Sequence, residues 1–156
     1  MFRYFPTSLP RPFTCLSVWY TGDMGSKPRI VVLDDNETFA ALITATLDTD
    51  YDVAVGHTGL QGIALCLGTH TDVVVTDIYM PDIDGITMLR EFRKNPRLSG
   101  IPVLVVTATG FSRLNREEVA RFPQVKRILS KIASMDVLAQ EVRAVLEEAR
   151  GSQPPR

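Results

Sequence analysis

This sequence predicts an α/β fold in which one parallel sheet is covered by helices on both faces. Short apolar runs alternate five times with longer stretches of helical periodicity, the pattern of successive strand–helix units. The runs are apolar throughout and do not alternate with polar residues, as expected of strands buried on both faces. A third observation concerns function: polar residues follow four of the runs, as Asp34-Asp35, Asp77, Thr107 and Lys131. In open parallel sheets, ligands bind beyond the carboxyl ends of the strands, where the strand order reverses.

The elements follow in order. Arg29–Leu33 reads as the first strand. The first helix is expected over Asn36–Asp48, capped by Asn36, with Phe39, Leu42, Ile43, Thr46 and Leu47 at helical spacing. Tyr51–Val55 is the second strand. The second helix is expected over Gly59–Leu67, with Thr58 as cap and Leu60, Ile63, Ala64 and Leu67 on one face. Asp72–Thr76 is the third strand. It opens the stretch VVVTDIYMPDIDG at Val73–Gly85, read as strand, acid, rigid loop and helix start. Pro81 has no N–H and restricts the residue before it. Asp82, Asp84 and Gly85 supply turn and helix-start chemistry.

The third helix is expected over Ile86–Lys94, with Ile86, Leu89, Arg90 and Phe92, and Asn95-Pro96 stops it. Pro102–Val106 is the fourth strand, and Ser112–Arg121 is a helix polar in its middle. Val125–Leu129 is the fifth strand. The fifth helix is expected over Met135–Ala149, capped by Ser134, with Val137, Leu138, Val142, Val145 and Leu146 inward.

Bulk properties bound the function. With 156 residues, the chain holds one domain plus tails. The domain is expected over 27–150, with a disordered or mis-called extension at 1–26 and a disordered tail at 151–156. The apolar share is 45%, enough for a core, and the formal net charge of −1 provides no broad basic field for nucleic acid. No apolar run reaches the roughly 18–20 residues of a membrane span. Two cysteines, Cys15 and Cys66, make neither a disulfide framework nor a metal site. Cys66 is expected as a buried free thiol, which fits a reducing, cytoplasmic setting.

The polar strand ends form a constellation. Asp34, Asp35 and Asp77 would repel one another, and their pKa values would rise without a cation. Carboxylate oxygens suit a hard cation, Mg²⁺ before Ca²⁺. Asp77 can bind such an ion and still offer an oxygen as nucleophile. Lys131 and Thr107 can each take a phosphoryl oxygen. Together they suit transfer of a dianionic group to oxygen.

These residues carry a family resemblance. LDD at Leu33–Asp35, TDIYMPDIDG at Thr76–Gly85, VTA at Val106–Ala108 and SK at Ser130-Lys131 resemble the receiver (response regulator) domain of two-component signalling. The resemblance spans about Pro28–Ala149, and its D-x-x-M-P-x-x-x-G run is highly specific. It implies a flavodoxin-like (βα)5 sheet in order 2-1-3-4-5. It implies phosphorylation of Asp77 by a histidine kinase or a histidine phosphotransfer protein. Mg²⁺ would be bound by Asp34, Asp35, Asp77 and the main-chain carbonyl of Tyr79, and Thr107 and Lys131 would read the phosphoryl group. The chain would then be no enzyme in the ordinary sense, but a phosphoacceptor that assists its own phosphorylation and dephosphorylation. It would be a stand-alone, chemotaxis-type switch, a monomer or weak homodimer, acting on an output partner and not on nucleic acid or membrane.

Two positions depart from the family. Ile132 follows Lys131 where a proline in a cis peptide is usual, so the loop loses a rigid bend. Ile128 stands where an aromatic switch residue is frequent, and an aliphatic side chain has no hydroxyl handle. The alternative is therefore a docking module that uses the receiver fold without phosphorylation. A phosphohydrolase with an aspartyl nucleophile would need a general acid where Tyr79 stands, and a substrate-selecting cap. Gly56, Gly59 and Gly62 do not match a phosphate-binding spacing and are expected to serve packing. His57 and His70 are expected as surface histidines. Tyr79 and Thr109 flank the path of attacking water, and small Ala108 leaves room for the phosphodonor.

Overall fold

The computed structural model describes residues 26–151, apart from Thr109 and Phe111. The expectations for the N-terminal extension, for Cys15, for Thr109 and for the tail beyond Gly151 lie outside the described residues. Ten elements follow in strict alternation: β1 (Arg29–Leu33), α1 (Glu37–Leu47), β2 (Asp52–Gly56), α2 (Gly59–Gly68), β3 (Val73–Thr76), α3 (Gly85–Lys94), β4 (Val103–Thr107), α4 (Arg113–Ala120), β5 (Val125–Ser130) and α5 (Met135–Gly151). All strand pairs are parallel, and the sheet order is β2-β1-β3-β4-β5. This is the flavodoxin-like order the resemblance implied.

Successive strand residues face opposite sides, so each strand feeds two apolar layers. Ile30, Val32, Val73, Val75, Leu104 and Val106 pack against α1 and α5. Val31, Leu33, Val74, Val103 and Val105 pack against α2, α3 and α4. Both faces are covered, which is why the strands read as continuous apolar runs.

Local chemistry sets the helix starts. Asn36, Thr58, Asp84 and Ser112 each accept a main-chain N–H from three residues on, satisfying donors the first turn leaves unpaired. Ser134 Oγ does the same for Val137 at 3.3 Å.

Helix faces were less legible than helix positions. Leu60 and Ala64 are exposed, while α2 buries Gly59, Gly62 and Cys66. A Cβ on Gly62 would lie 2.4 Å from Leu33 Cδ1, and one on Gly59 would lie 2.7 Å from the Ile83 carbonyl. Small residues thus carry the closest contact, the packing role expected of Gly59 and Gly62, and Ile63 and Leu67 pack beside them. Leu42 and Val137 are likewise exposed where an inward face was expected, and Ala40 takes an inward position on α1. Arg90 lies on the outside of α3, paired with Glu118 of α4.

Candidate functional site

The sheet register builds the site. Leu33 pairs with Thr76, the last residues of β1 and β3, so the following residues, Asp34 and Asp77, sit side by side. Asp77 N–H donates to the Leu33 carbonyl at 2.8 Å and locks that alignment. Here β1 has β2 on one side and β3 on the other, so the acids stand where the strand order reverses. Thr107 pairs with Ser130 at the ends of β4 and β5, which brings Lys131 to the same edge.

The carboxylates differ in environment. Asp34 is 1% exposed and Asp77 is 5% exposed, whereas Asp35 is open to solvent. Asp34 Oδ1 accepts the Asn36 N–H at 2.9 Å. Asp77 Oδ1 accepts the Ile78 N–H at 2.6 Å and, more weakly, the Tyr79 N–H at 3.4 Å. Lys131 Nζ lies 2.7 Å from Asp34 Oδ2 and 2.8 Å from Asp77 Oδ2. One ammonium therefore bridges both buried acids.

Electrostatics follow from that bridge. Burial pushes the Asp34 carboxyl above the usual range; hydrogen bonds from Lys131 and Asn36 offset part of this, and the Asp77 charge adds to it. For Lys131, burial alone would lower the pKa. The bonds to Asp34 and Asp77, with their charges, outweigh it, and the group is raised. Lys131 supplies part of the positive charge the acids require, and the remainder can come from a cation.

Carboxylate oxygens of Asp34, Asp35 and Asp77 lie within 4.8 Å of one another, close enough to share one metal ion. An all-oxygen donor set with one open side fits a hard, partly hydrated cation. One polar group at the site has no partner: the Thr107 hydroxyl is buried and makes no hydrogen bond among the described residues. A buried hydroxyl without a partner costs free energy, and such groups recur where a ligand supplies the missing bond.

The loop beyond Asp77 is held close to it. The Gly85 N–H donates to the Ile78 carbonyl at 2.7 Å. A Cβ on Gly85 would lie 2.7 Å from the Asp77 carbonyl oxygen and 2.9 Å from Ile78 Cα, so only glycine fits. Asp82 takes a left-handed conformation, φ 68°, which aspartate tolerates better than most residues.

The structure brings Asp34, Asp35, Asp77, Thr107 and Lys131 together at one edge, with Tyr79 beside them, 49% exposed. Lys131 reaches the acids without the usual proline, and no described peptide bond is cis. Its N–H donates to the Thr107 carbonyl, and the Ala133 N–H donates to the Ser130 carbonyl, both at 2.9 Å. These bonds fix the turn, leaving Ile132 80% exposed.

Two residues near the site were read differently in the sequence. His57 is half-buried and not a simple surface histidine, and its Nδ1 lies 2.9 Å from the Asp34 carbonyl oxygen. Its place directly after β2 was the available signal, since that is the edge where the acids lie. His70 is exposed, as expected, beside Asp72. Phe39, read only as a helix-face residue, sets its ring face 4.9 Å from Lys131 Nζ. No spacing rule links those two positions. A separate groove of about 1160 Å³, lined by Cys66, Thr71, Ile101 and Val145 among others, includes none of Asp34, Asp35 and Asp77.

Comparison with known proteins agrees with this fold. Among curated relatives, the DNA-binding dual master transcriptional regulator RpaA of Synechocystis is 34% identical over 84 residues, covering 53% of this chain and 35% of its own length. Protein PilH of Pseudomonas aeruginosa is 36% identical over 80 residues, covering 51% of this chain and 66% of its own length. The chain thus spans about a third of the first relative and just under two thirds of the second. A CheY-like receiver domain protein from Methanospirillum hungatei superposes with a TM-score of 0.75 at 21% identity, over 82% of this chain and all of that one, a likeness of fold. The family model for the response regulator receiver domain matches residues 30–143. With that match, the strand order and the clustered acids on one edge, the chain belongs to the response regulator receiver domain family of two-component signalling.

Proposed function

We propose that the chain is a single-domain response regulator, its receiver unit over 27–150, that accepts a phosphoryl group on Asp77. Members of this family are signalling domains phosphorylated by histidine kinases. The donor is a histidine kinase or a histidine phosphotransfer protein, and the phosphorylated form signals through protein–protein contact in the cytoplasm. The observation that carries the reading is the Lys131 ammonium seated between the buried Asp34 and Asp77 carboxylates.

The residues divide the work. Asp77 Oδ1 is tied to main-chain N–H groups, which leaves Oδ2 to form the O–P bond as the donor's N–P bond breaks. Lys131, 2.8 Å from that oxygen, follows the negative charge onto a phosphoryl oxygen. The Thr107 hydroxyl, buried without a partner among the described residues, donates to another. Asp34, Asp35, Asp77 and the Tyr79 main-chain carbonyl would hold Mg²⁺, which when bound neutralises charge on the transferring group. Hydrolysis of the acyl phosphate by the same residues returns the chain to its resting state, so the protein assists its own phosphorylation and dephosphorylation without being an enzyme for another substrate. Nothing in this reading requires nucleic acid or membrane, and the unit acts as a monomer or weak homodimer.

Borohydride reduction tests the assignment. The chain is treated with acetyl phosphate and Mg²⁺, reduced, digested and mapped by mass. An acyl phosphate at Asp77 yields homoserine at that position alone. Homoserine at another position, or at none, contradicts the assignment.

A second reading is a docking module that works without phosphorylation. The 80% exposed Ile132 favours it, because an apolar side chain at the site's rim can bind a partner in either state. Under that reading, partner affinity is the same for the wild type before and after acetyl phosphate.

A further inference from the structure

Lys131 has a third neighbour besides its two carboxylates. The Phe39 ring centroid lies 4.9 Å from Nζ, well within reach of a cation–π attraction. Phe39 sits in the first turn of α1, where its N–H is held by Asn36 Oδ1 at 2.9 Å. Its side chain is half-buried against the apolar layer under α1 and α5. The cap thus fixes the backbone that carries the ring, and packing constrains the ring itself. Lys131 is only 21% exposed at its side chain, so the attraction acts where water screens it less.

We propose that Phe39 is a positioning residue for Lys131, its ring face holding the ammonium toward Asp77. Building on the Asp77 reading above, this positioning speeds phosphoryl acceptance. A third carboxylate in place of the ring would hold the lysine more tightly but would cancel the charge a phosphoryl oxygen needs. The ring attracts through its quadrupole and leaves that positive charge intact. Such support matters in this chain because Ile132, next to Lys131, projects into solvent.

Fluorinated phenylalanines separate this role from mere packing. One, two or three ring fluorines at position 39 drain the face of negative potential while nearly preserving shape, and they make the ring more apolar. They are introduced into the full chain, in wild-type and Lys131→Met backgrounds. The rate of adduct formation with acetyl phosphate and Mg²⁺ is followed by intact mass, and the metal-free unfolding midpoint is measured in urea. The rate should fall stepwise, by about two- to fivefold at three fluorines, and Phe39→Trp should restore or exceed the wild-type rate. Midpoints should fall in parallel, and both trends should vanish in Lys131→Met. Rates and midpoints that ignore fluorination overturn the proposal, even if Phe39→Leu is slow, since that leaves only a packing role. A wild type that takes up no phosphoryl group removes the Asp77 reading instead. The midpoint coupling between ring and ammonium then decides the position of Lys131 by itself.

Discussion

Thr107 Oγ1 is buried without a hydrogen bond among the described residues, which makes it informative at the scale of one residue. Replacing the hydroxyl by a methyl group in Thr107→Val removes an unsatisfied donor. The metal-free protein should gain about 1 kcal/mol in urea unfolding, while adduct formation from acetyl phosphate slows; Thr107→Ser should keep the wild-type rate while losing about 1 kcal/mol with its buried methyl group. A Thr107→Val variant that is both less stable and unimpaired in phosphorylation would mean that the hydroxyl has a different role. Tyr79 gives a second prediction. Its side chain is half-exposed two residues after Asp77, and on the proposed reading its bulk slows hydrolysis of the acyl phosphate. Tyr79→Asn should shorten the lifetime of the phosphorylated form, read by loss of the adduct over time, and an unchanged lifetime contradicts this. Lys131 gives a third. Its folded pKa is raised above the ordinary 10.5, so its stabilisation is fully present below pH 10.5 and is lost as pH rises through the folded value. The metal-free stability difference between wild type and Lys131→Met should therefore shrink above pH 10.5. Thr107 and Lys131 were legible because polar residues ending apolar strands have no packing reason to be there, and Tyr79 because of its place in the D-x-x-M-P run. The contacts that Phe39 makes with Lys131 and His57 with the Asp34 carbonyl were not, since each joins separate elements.

At the scale of elements, the β3–α3 connection concentrates the constraints. Asp84 caps α3 by accepting the Thr87 N–H at 2.7 Å. Asp84→Ala should cost about 1 kcal/mol in unfolding free energy. Gly85→Ala should cost about 1–3 kcal/mol, because its Cβ would press on the Asp77 carbonyl and Ile78 Cα. It should also weaken phosphorylation, which Asp84→Ala should largely spare. The Gly85 and cap chemistry was readable from the D-x-x-M-P-x-x-x-G run. The inward face of α2 was readable in part: Gly59 and Gly62 were expected to serve packing, Cys66 to be buried, and Ile63 and Leu67 to face inward, as they do. Gly59, Gly62 and Cys66 carry it, and close approach of backbone to Leu33 and Ile83 selects small residues there. Apolar periodicity also placed Leu60 and Ala64 on that face, and these two face solvent. Cys66 itself came out as expected, a buried free thiol, with burial pushing it up to about 11.

For the whole molecule, one pattern did most of the work. Five apolar strands alternate with five helices, and a parallel sheet covered on both faces is the arrangement that buries them all. Element bounds agree with the sequence reading to within a residue or two, α5 extending through Gly151. The strand order is harder to read from apolar pattern alone. It came through family resemblance, and the register of β1 on β3 gives it physical content by setting Asp34 beside Asp77. The central claim is that this register exists to make Asp77 a phosphoacceptor. Intact mass after incubation with acetyl phosphate and Mg²⁺, beside Asp77→Asn, tests it most directly. A single phosphoryl adduct that requires Mg²⁺ and is absent from Asp77→Asn is the predicted result. No adduct in the wild type, or the same adduct in Asp77→Asn, would contradict it.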